Sequence, residues 1–218
     1  KHTPSLFAEP SFEWHNEEYD FELLTHNTTD IADFLAPGVF IQENTALNIR
    51  INKDGEFDGS LVSNRIAKGN NYAKNIDARI NNADSTLRAD INIGEIELAT
   101  MVTGSNHLAF SAVKDSLNID LSYGGESKSR GNLLLDGKLE RNEDRINTKV
   151  DIQPSVVYIN GEEWKIPRSS VDIDDGVIDI DSFEITSGHQ RLWADGTISE
   201  KRDTLSVGLD GFDITLLQ

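Results

Sequence analysis

The five histidines are the first residues to consider for catalysis or metal binding. They stand at positions 2, 15, 26, 107 and 189, and no two of them lie four residues apart. The paired spacing of a helical zinc site is therefore missing. His107 and His189 follow short polar runs that predict turns. The chain also contains no Gly-x-Ser-x-Gly elbow, Walker loop or Gly-x-Gly-x-x-Gly run. We interpret the histidines as surface residues and expect no enzyme activity and no cofactor.

The acidic run at 172–181 (DIDDGVIDID) invites a calcium-binding interpretation. An EF-hand loop needs oxygen ligands at its positions 1, 3 and 5, ahead of a glycine at position 6. Counting back from Gly176 places Val171 and Ile173 at two of those ligand positions. The run instead predicts two strands that alternate apolar and acidic residues on either side of an Asp-Gly turn.

Composition excludes several classes of function. The 218 residues include 38 acidic and 20 basic side chains, for a net charge of -18. This charge is opposite to that of a nucleic-acid-binding surface and disfavours adsorption to anionic membranes. No apolar run approaches the ~18 residues of a transmembrane helix. The chain has no cysteine, so it has no disulfide, thiolate metal site or catalytic thiol.

Hydrophobic periodicity predicts the elements of the fold. Residues 29–37 predict a short helix, with Ile31, Phe34 and Leu35 on one face and Pro37 at its end. Most of the remaining chain alternates apolar and polar residues, which is typical of strands with one buried face. The alternation shifts by one position after Gly94, which predicts a bulge or bend there. It shifts again between Ile180 and Phe183.

The last fifty residues alternate most clearly, with a turn signal about every ten residues. We therefore predict an all-β fold, an antiparallel meander with one apolar and one acidic face. Residues 1–218 form a single elongated segment, in which 1–28 are an irregular lead-in with one strand near Tyr19, Phe21 and Leu23. Because the alternation is still running at Phe212, Ile214 and Leu216, we expect the chain to be a piece of a longer protein. Period two by itself suits an open sheet, a filled sandwich or a barrel equally well.

Three runs in the second half resemble one protein family. They are 159–167 (INGEEWKIP), 171–190 (VDIDDGVIDIDSFEITSGHQ) and 192–199 (LWADGTIS). Their order and spacing resemble the TamB-like family (translocation and assembly module inner-membrane component), within the wider AsmA-like group, in its Bacteroidetes-type form. Residues 35–48 (LAPGVFIQENTALN) resemble another recurrent element of that family, a short helix that ends in Pro-Gly before a strand. Trp193 and the first 28 residues depart from the pattern.

The resemblance implies an elongated periplasmic protein, anchored in the inner membrane by an N-terminal helix outside this sequence. It implies a long sheet curled into an open, taco-like trough with an apolar interior. The implied role is non-catalytic: movement of phospholipids between the two membranes, outer-membrane protein assembly with a barrel partner of the Omp85 type, or both. The partners would be phospholipid acyl chains and that barrel, with no nucleic acid and no membrane span within these residues.

On this interpretation the inward residues of the last strands form the lipid-contacting wall. They are Ile173, Ile178, Ile180, Phe183, Ile185, Leu205, Val207 and Leu209. Trp164, which lies between the Asn160-Gly161 turn and Pro167, is predicted to be a structural anchor. Two alternatives stay open. One is a scaffold that offers a sheet edge to nascent outer-membrane strands, and the other is an extracellular carbohydrate-binding or carbohydrate-active β domain.

Overall fold

A computed structural model describes residues 17–26, 38–98, 101–142, 145–200 and 203–211. The predicted helix at 29–37 and the predicted strand around Phe212, Ile214 and Leu216 lie outside these ranges. Within them the fold is all-β, as predicted, with one 3-10 turn at Ala83–Ser85. No helix among the described residues is long and apolar enough to cross a membrane.

In the part of the chain that the structure describes, sixteen strands form one sheet in which every pairing is antiparallel. The strands are β1 (Tyr19–Leu24), β2 (Val39–Ile41), β3 (Ala46–Ile51), β4 (Phe57–Lys68), β5 (Asn71–Asn81), β6 (Leu87–Leu98), β7 (Met101–Val113), β8 (Ser116–Tyr123), β9 (Arg130–Asn142), β10 (Arg145–Ile152), β11 (Ser155–Ile159), β12 (Glu162–Ile166), β13 (Ser169–Asp174), β14 (Val177–Ser187), β15 (Gln190–Ile198) and β16 (Ser206–Asp210).

The strands follow one another as a meander because tight turns join them. Asp175 and Gly176 both have positive φ, 48° and 76°, and Asn160 and Gly161 have 55° and 88°. Two consecutive residues with positive φ are the backbone requirement of a type I′ hairpin turn, and Asn-Gly and Asp-Gly meet it most easily. The hairpin predicted at Asp175-Gly176 is therefore confirmed.

In several neighbouring strands the strand pairing skips one residue, and the skipped positions form a line across the sheet. We call this line the crease. Between β4 and β5 the pairing passes from Ser63–Ile76 to Arg65–Lys74. The residues skipped in successive strands lie opposite one another: Asn64, Asn75, Gly94 and Ser105. Asn75 and Ser105 have positive φ, 52° and 51°. The bend predicted at Gly94 is confirmed as one member of this line.

The crease continues through the last strands with larger interruptions. Strands β10 and β11 both pair with β9, so they are one long strand interrupted at Gln153-Pro154. Strands β12 and β13 are likewise interrupted at Pro167-Arg168. In β14 the register shifts between Ile180 and Phe183, as predicted, and Ser182 has a positive φ of 54°.

The crease divides the sheet into two arms. The first arm contains β1, β3, β8, β10, β13 and the adjoining halves of the long strands, and the second contains β2, β11, β12, β16 and the other halves. Ser63 is 2% exposed and Thr45 is 4% exposed beside the crease. These two side chains contact each other beside the bend, and the one sheet curls there so that its arms form the two sides of a trough.

Candidate functional site: the apolar trough

The inner face of the first arm is built from apolar residues that lie directly opposite one another in neighbouring strands. Because side chains alternate between faces, paired residues share a face. One row runs through eight strands: Ile49, Gly59, Ile80, Ala89, Phe110, Ile119, Leu135 and Ile152. A parallel row contains Leu47, Leu61, Ala78, Ile91, Leu108, Leu121 and Leu133.

Along these two rows the face is not packed shut, whereas Ile76, Ala112 and Leu139 elsewhere on the same face are buried. Every side chain of Ile, Leu or Phe in the two rows remains partly exposed, and Ile80 is 40% exposed. In a filled sandwich, central residues of this type would be buried against a facing sheet. All described strands belong to one sheet, so only its other arm can face these rows. The inner face is therefore a long apolar surface that remains partly accessible.

The outer face of the first arm is polar and its side chains pair with one another. A concavity of about 900 Å³ lies there. His107 Nε2 lies 2.9 Å from Asp90 Oδ2, and Asn92 donates a hydrogen bond to Asp90 at 2.7 Å. The hydrogen bond from His107 is the main cause of a lowered pKa at Asp90. Asn118 and Gln153 each donate to Asp136 at 2.6 Å.

The predicted turn at His107 is wrong, since this residue lies inside β7. The Ser105 backbone bends the strand without ending it, so the polar run around it does not form a turn. His189 does lie in a turn. Among the described residues, no group of three or more histidine or acidic side chains is placed to hold a metal ion.

The end of the trough near β11 and β12 is different, because a hydrophobic cluster fills it. Val157, Trp164 and Ile166 are buried together, and Trp164 is 7% exposed. Five partly buried side chains from both arms pack against them: Tyr123, Leu133, Ile152, Phe183 and Ile185. We call these eight residues the Trp164 cluster. Burial also raises the pKa of Tyr123.

Two of the sequence runs that carry the family resemblance meet beside this cluster. Glu162 Oε1 accepts hydrogen bonds from Ser187 Oγ at 2.9 Å and from Gln190 Nε2 at 3.2 Å. Ser187 and Gln190 are 7% and 8% exposed. The three side chains therefore tie the β11–β12 hairpin to the β14–β15 hairpin. Sequence reasoning did not single them out, although the Ser-Gly-His-Gln run contains two of them.

The eight predicted wall residues fall into three environments. Ile173 and Ile178 lie opposite each other, and Ile180 lies opposite Val171, all on the inner face of the first arm. Phe183 and Ile185 pack against the Trp164 cluster core, so part of their surface is covered by protein. Val207 and Leu209 lie on the edge strand β16 and are 61% and 59% exposed, while Leu205 precedes that strand.

Comparison of the chain with protein-family models, with curated proteins and with solved structures found no match in any of the three.

Proposed function

We propose that the inner face of the trough binds the acyl chains of phospholipids, in a non-catalytic segment of an envelope protein. The observation that carries the proposal is the pair of apolar rows, which extends across the first arm and remains partly exposed. Each CH₂ group that moves from water onto this face gains about 0.8 kcal/mol. Phospholipid tails supply many such groups, and head groups stay near the water.

The dimensions of the trough support this ligand class. The first-arm part of β6 runs from Leu87 to Ile93, a length of about 23 Å at ~3.3 Å per residue. One leaflet of a bilayer gives an acyl chain roughly 15 Å, half of the ~30 Å hydrocarbon core. A tail therefore fits along the strands of one arm. Rows that cross many strands offer several such positions side by side.

The resemblance to the TamB-like family supports a cellular setting for this proposal. It favours a periplasmic segment of a protein anchored in the inner membrane. Phospholipids would move along the trough between the inner and outer membranes, and outer-membrane protein assembly with an Omp85-type barrel would be a second role. The proposal from geometry concerns the lipid-binding face, and it does not depend on the barrel partner.

Paired photo-crosslinking positions test the proposal directly. A photoreactive residue at Ile91 or Ile180 points to the inner face, whereas the same residue at Asn92 or Asp179 points to the outer face of the same strands. We expect phospholipid adducts in cells at 91 and 180 and none at 92 and 179. Native mass spectrometry of the purified chain should show bound phospholipid. Equal labelling on both faces, or none at all, would contradict the proposal.

The substitution Ile180→Asp separates an open trough from a closed core. Ile180 is partly exposed, so the carboxylate of the introduced aspartate reaches water when no lipid is present. The fold should then survive while lipid occupancy falls. In a packed core the same unpaired charge would unfold the chain. Circular dichroism and native mass spectrometry measure the two effects. If the Ile180→Asp variant unfolds and captures no lipid, the open trough is refuted. In a separate measurement, binding of the unmodified chain on a glycan array would favour the carbohydrate alternative.

A further inference from the structure

The concavity of about 900 Å³ on the outer face of the first arm contains a groove that follows β7. The β7 side chains that line it, Ala109 and Ser111, are short. Longer side chains stand on both sides, because the register places Arg88 of β6 and Asn118 of β8 directly opposite Ser111. A strand with short side chains between two strands with long ones leaves a polar groove, and we call it the β7 groove.

One wall of the β7 groove presents a positive charge without a counter-ion. Arg88 is exposed and forms no ion pair with the acidic side chains that the structure describes. Its guanidinium makes one long contact, 3.5 Å from Nη1 to the carbonyl of Ala83. By contrast, Arg50 and Arg191 each lie within 3.2 Å of a carboxylate. Most donors of Arg88 therefore remain available to a ligand.

The opposite wall presents negative charge without a counter-ion. Asp120 and Asp136 line the concavity from β8 and β9. In the described part of the chain, neither carboxylate forms an ion pair with a basic side chain. Asp136 is half-buried and accepts hydrogen bonds of 2.6 Å from Asn118 and from Gln153, one on each oxygen. Neutral amides thus hold this carboxylate in a fixed orientation and leave its charge for a cation.

The two walls face each other across a distance that the register fixes. Arg88, Ser111, Asn118 and Asp136 occupy one row through β6, β7, β8 and β9. Three strand spacings of ~4.8 Å place the backbones of Arg88 and Asp136 about 14 Å apart. An extended chain of two or three residues spans roughly 7–10 Å, so it bridges the two walls with one charged end at each.

We propose that the β7 groove binds a short zwitterionic peptide, with its free carboxylate on Arg88 and its free ammonium on Asp120 and Asp136. A ligand with only negative charge is repelled by a chain of net charge -18, and a ligand with only positive charge uses one wall. A single amino acid carries both charges on one carbon and cannot reach both walls. A phospholipid head group would bring its tails onto this polar face. The groove is separate from the lipid-binding face proposed above.

A panel of peptides tests the charge requirement on the unmodified chain. The panel contains trialanine, N-acetyl-trialanine, which has only the negative end, and trialanine amide, which has only the positive end. In an NMR titration, trialanine should shift the backbone amides of Ser111 and Asn118, and each blocked peptide should bind at least fivefold more weakly. Glycerophosphoethanolamine, the zwitterion of a lipid head group, should also bind more weakly. No binding of trialanine, equal binding of the blocked peptides, or tighter binding of glycerophosphoethanolamine would overturn the proposal.

Two substitutions assign each end of the peptide to its wall. Arg88→Gln should weaken trialanine at least fivefold and leave trialanine amide unchanged, because the amide has no carboxylate. Asp136→Asn should weaken both of these peptides and leave N-acetyl-trialanine unchanged.

The matched controls are Arg50→Gln and Asp172→Asn, which change charged residues of the outer face that do not line the concavity. Both should bind trialanine like the unmodified chain, and circular dichroism should show that all four variants are folded. Equal losses in the controls, or a loss in Arg88→Gln that does not depend on the carboxylate of the peptide, would refute the assignment. Crosslinking of lipid at Ile91 is measured separately, so either proposal can fail alone.

Discussion

The sheet folds along one crease, but the bend is stabilised in different ways in the two halves of that crease. The first half crosses β4 to β7 and the second half crosses β10 to β14. From β4 to β7 each strand skips a single residue and the register continues unchanged across it. The buried side chains at that crease are mostly polar, including Thr45, Ser63 and Asn106. From β10 to β14 the interruptions are longer and contain Pro154 and Pro167, and the Trp164 cluster lies beside them.

The difference shows how a one-layer sheet can keep an apolar face accessible. In the first half, hydrogen bonds hold the bend. Thr45 Oγ1 lies 2.6 Å from Ser63 Oγ and donates to the Gln42 carbonyl at 2.7 Å. Asn106 donates to the carbonyls of Ile93 and Thr103. In the second half, apolar burial holds the bend and covers part of the inner face. We therefore expect the first half to be the more accessible part of the trough.

The largest effect should come from removing the ring at the centre of the second half. Trp164→Ala deletes a 7% exposed side chain, and large-to-small changes of an aromatic core residue cost about 3–5 kcal/mol. Chemical denaturation measures the loss of unfolding free energy. Hydrogen exchange should increase in β11–β14 and remain unchanged in β4–β6.

Trp193→Ala is the control for this experiment. Its indole is only partly buried and donates to Asp210 at 3.1 Å, so its removal should cost much less. If Trp164→Ala raises exchange equally in both halves, the two halves form one cooperative unit and the comparison is wrong.

The next effect should come from the polar crease of the first half. Thr45→Val keeps the shape of the side chain but removes its hydroxyl, which leaves the buried Ser63 hydroxyl without that partner. Ser63 still donates to the Arg65 carbonyl at 3.3 Å, so the expected cost is that of lost hydrogen bonds, about 0.5–1.5 kcal/mol for each. Ser60→Ala is the control, because the Ser60 hydroxyl accepts only a long, exposed hydrogen bond from Asn48. Equal stability of both variants would show that the polar row does not hold the bend.

Part of this architecture could be predicted from the sequence. The two phase shifts, after Gly94 and between Ile180 and Phe183, mark the crease within single strands because the apolar positions change parity there. The alignment of Asn64, Asn75 and Ser105 with Gly94 could not be predicted, since periodicity within one strand does not reveal its register with the next. The crease as a continuous line therefore appears only in the structure.

The candidate site was predictable to a similar extent. Alternation placed Ile173, Ile178 and Ile180 on the apolar face, and their pairing in the structure agrees. The same alternation treated Phe183 and Ile185 as equivalent to them, because it contains no information on what packs above a strand. The Trp164 cluster covers these two residues from β11 and β12. The accessible rows of β3–β8 were not identified as a site, since their strands look no more apolar than the last ones.

A smaller effect should separate two glycines at the first-half crease. A Cβ added at Gly94 would lie 3.0 Å from Cβ of Asn75, whereas one at Gly104 would meet nothing closer than a carbonyl at 3.6 Å. Gly104→Ala should be neutral or stabilise by up to about 1 kcal/mol, because alanine reduces the entropy of the unfolded chain. Gly94→Ala should be about 1 kcal/mol less stable than Gly104→Ala, as thermal denaturation would show. The reverse order would contradict close packing at the crease.

The smallest effect should come from an ion pair in the first half. Glu95 accepts hydrogen bonds of 2.7 Å from both Lys74 and Tyr72. The bond from Lys74 is the main cause of a lowered pKa at Glu95, and the same contact raises the pKa of Lys74. The pair therefore stabilises the fold between about pH 4.3 and pH 10.4, the ordinary values of the two groups. Its contribution is lost as pH falls through the lowered pKa of Glu95 or rises through the raised pKa of Lys74.

Both side chains are more than one-third exposed, so solvent screening keeps the stability change small, and the titration itself is the better measurement. In Lys74→Met the carboxyl resonance of Glu95 should titrate at higher pH than in the unmodified chain. Glu140, whose pKa the more exposed Lys138 lowers on β9, should titrate as before. A Glu95 midpoint that Lys74→Met leaves unchanged would mean that the pair does not form in solution. The first-half crease would then rest on its backbone ladder and its buried hydroxyls alone, which would make Thr45→Val the decisive variant for that half.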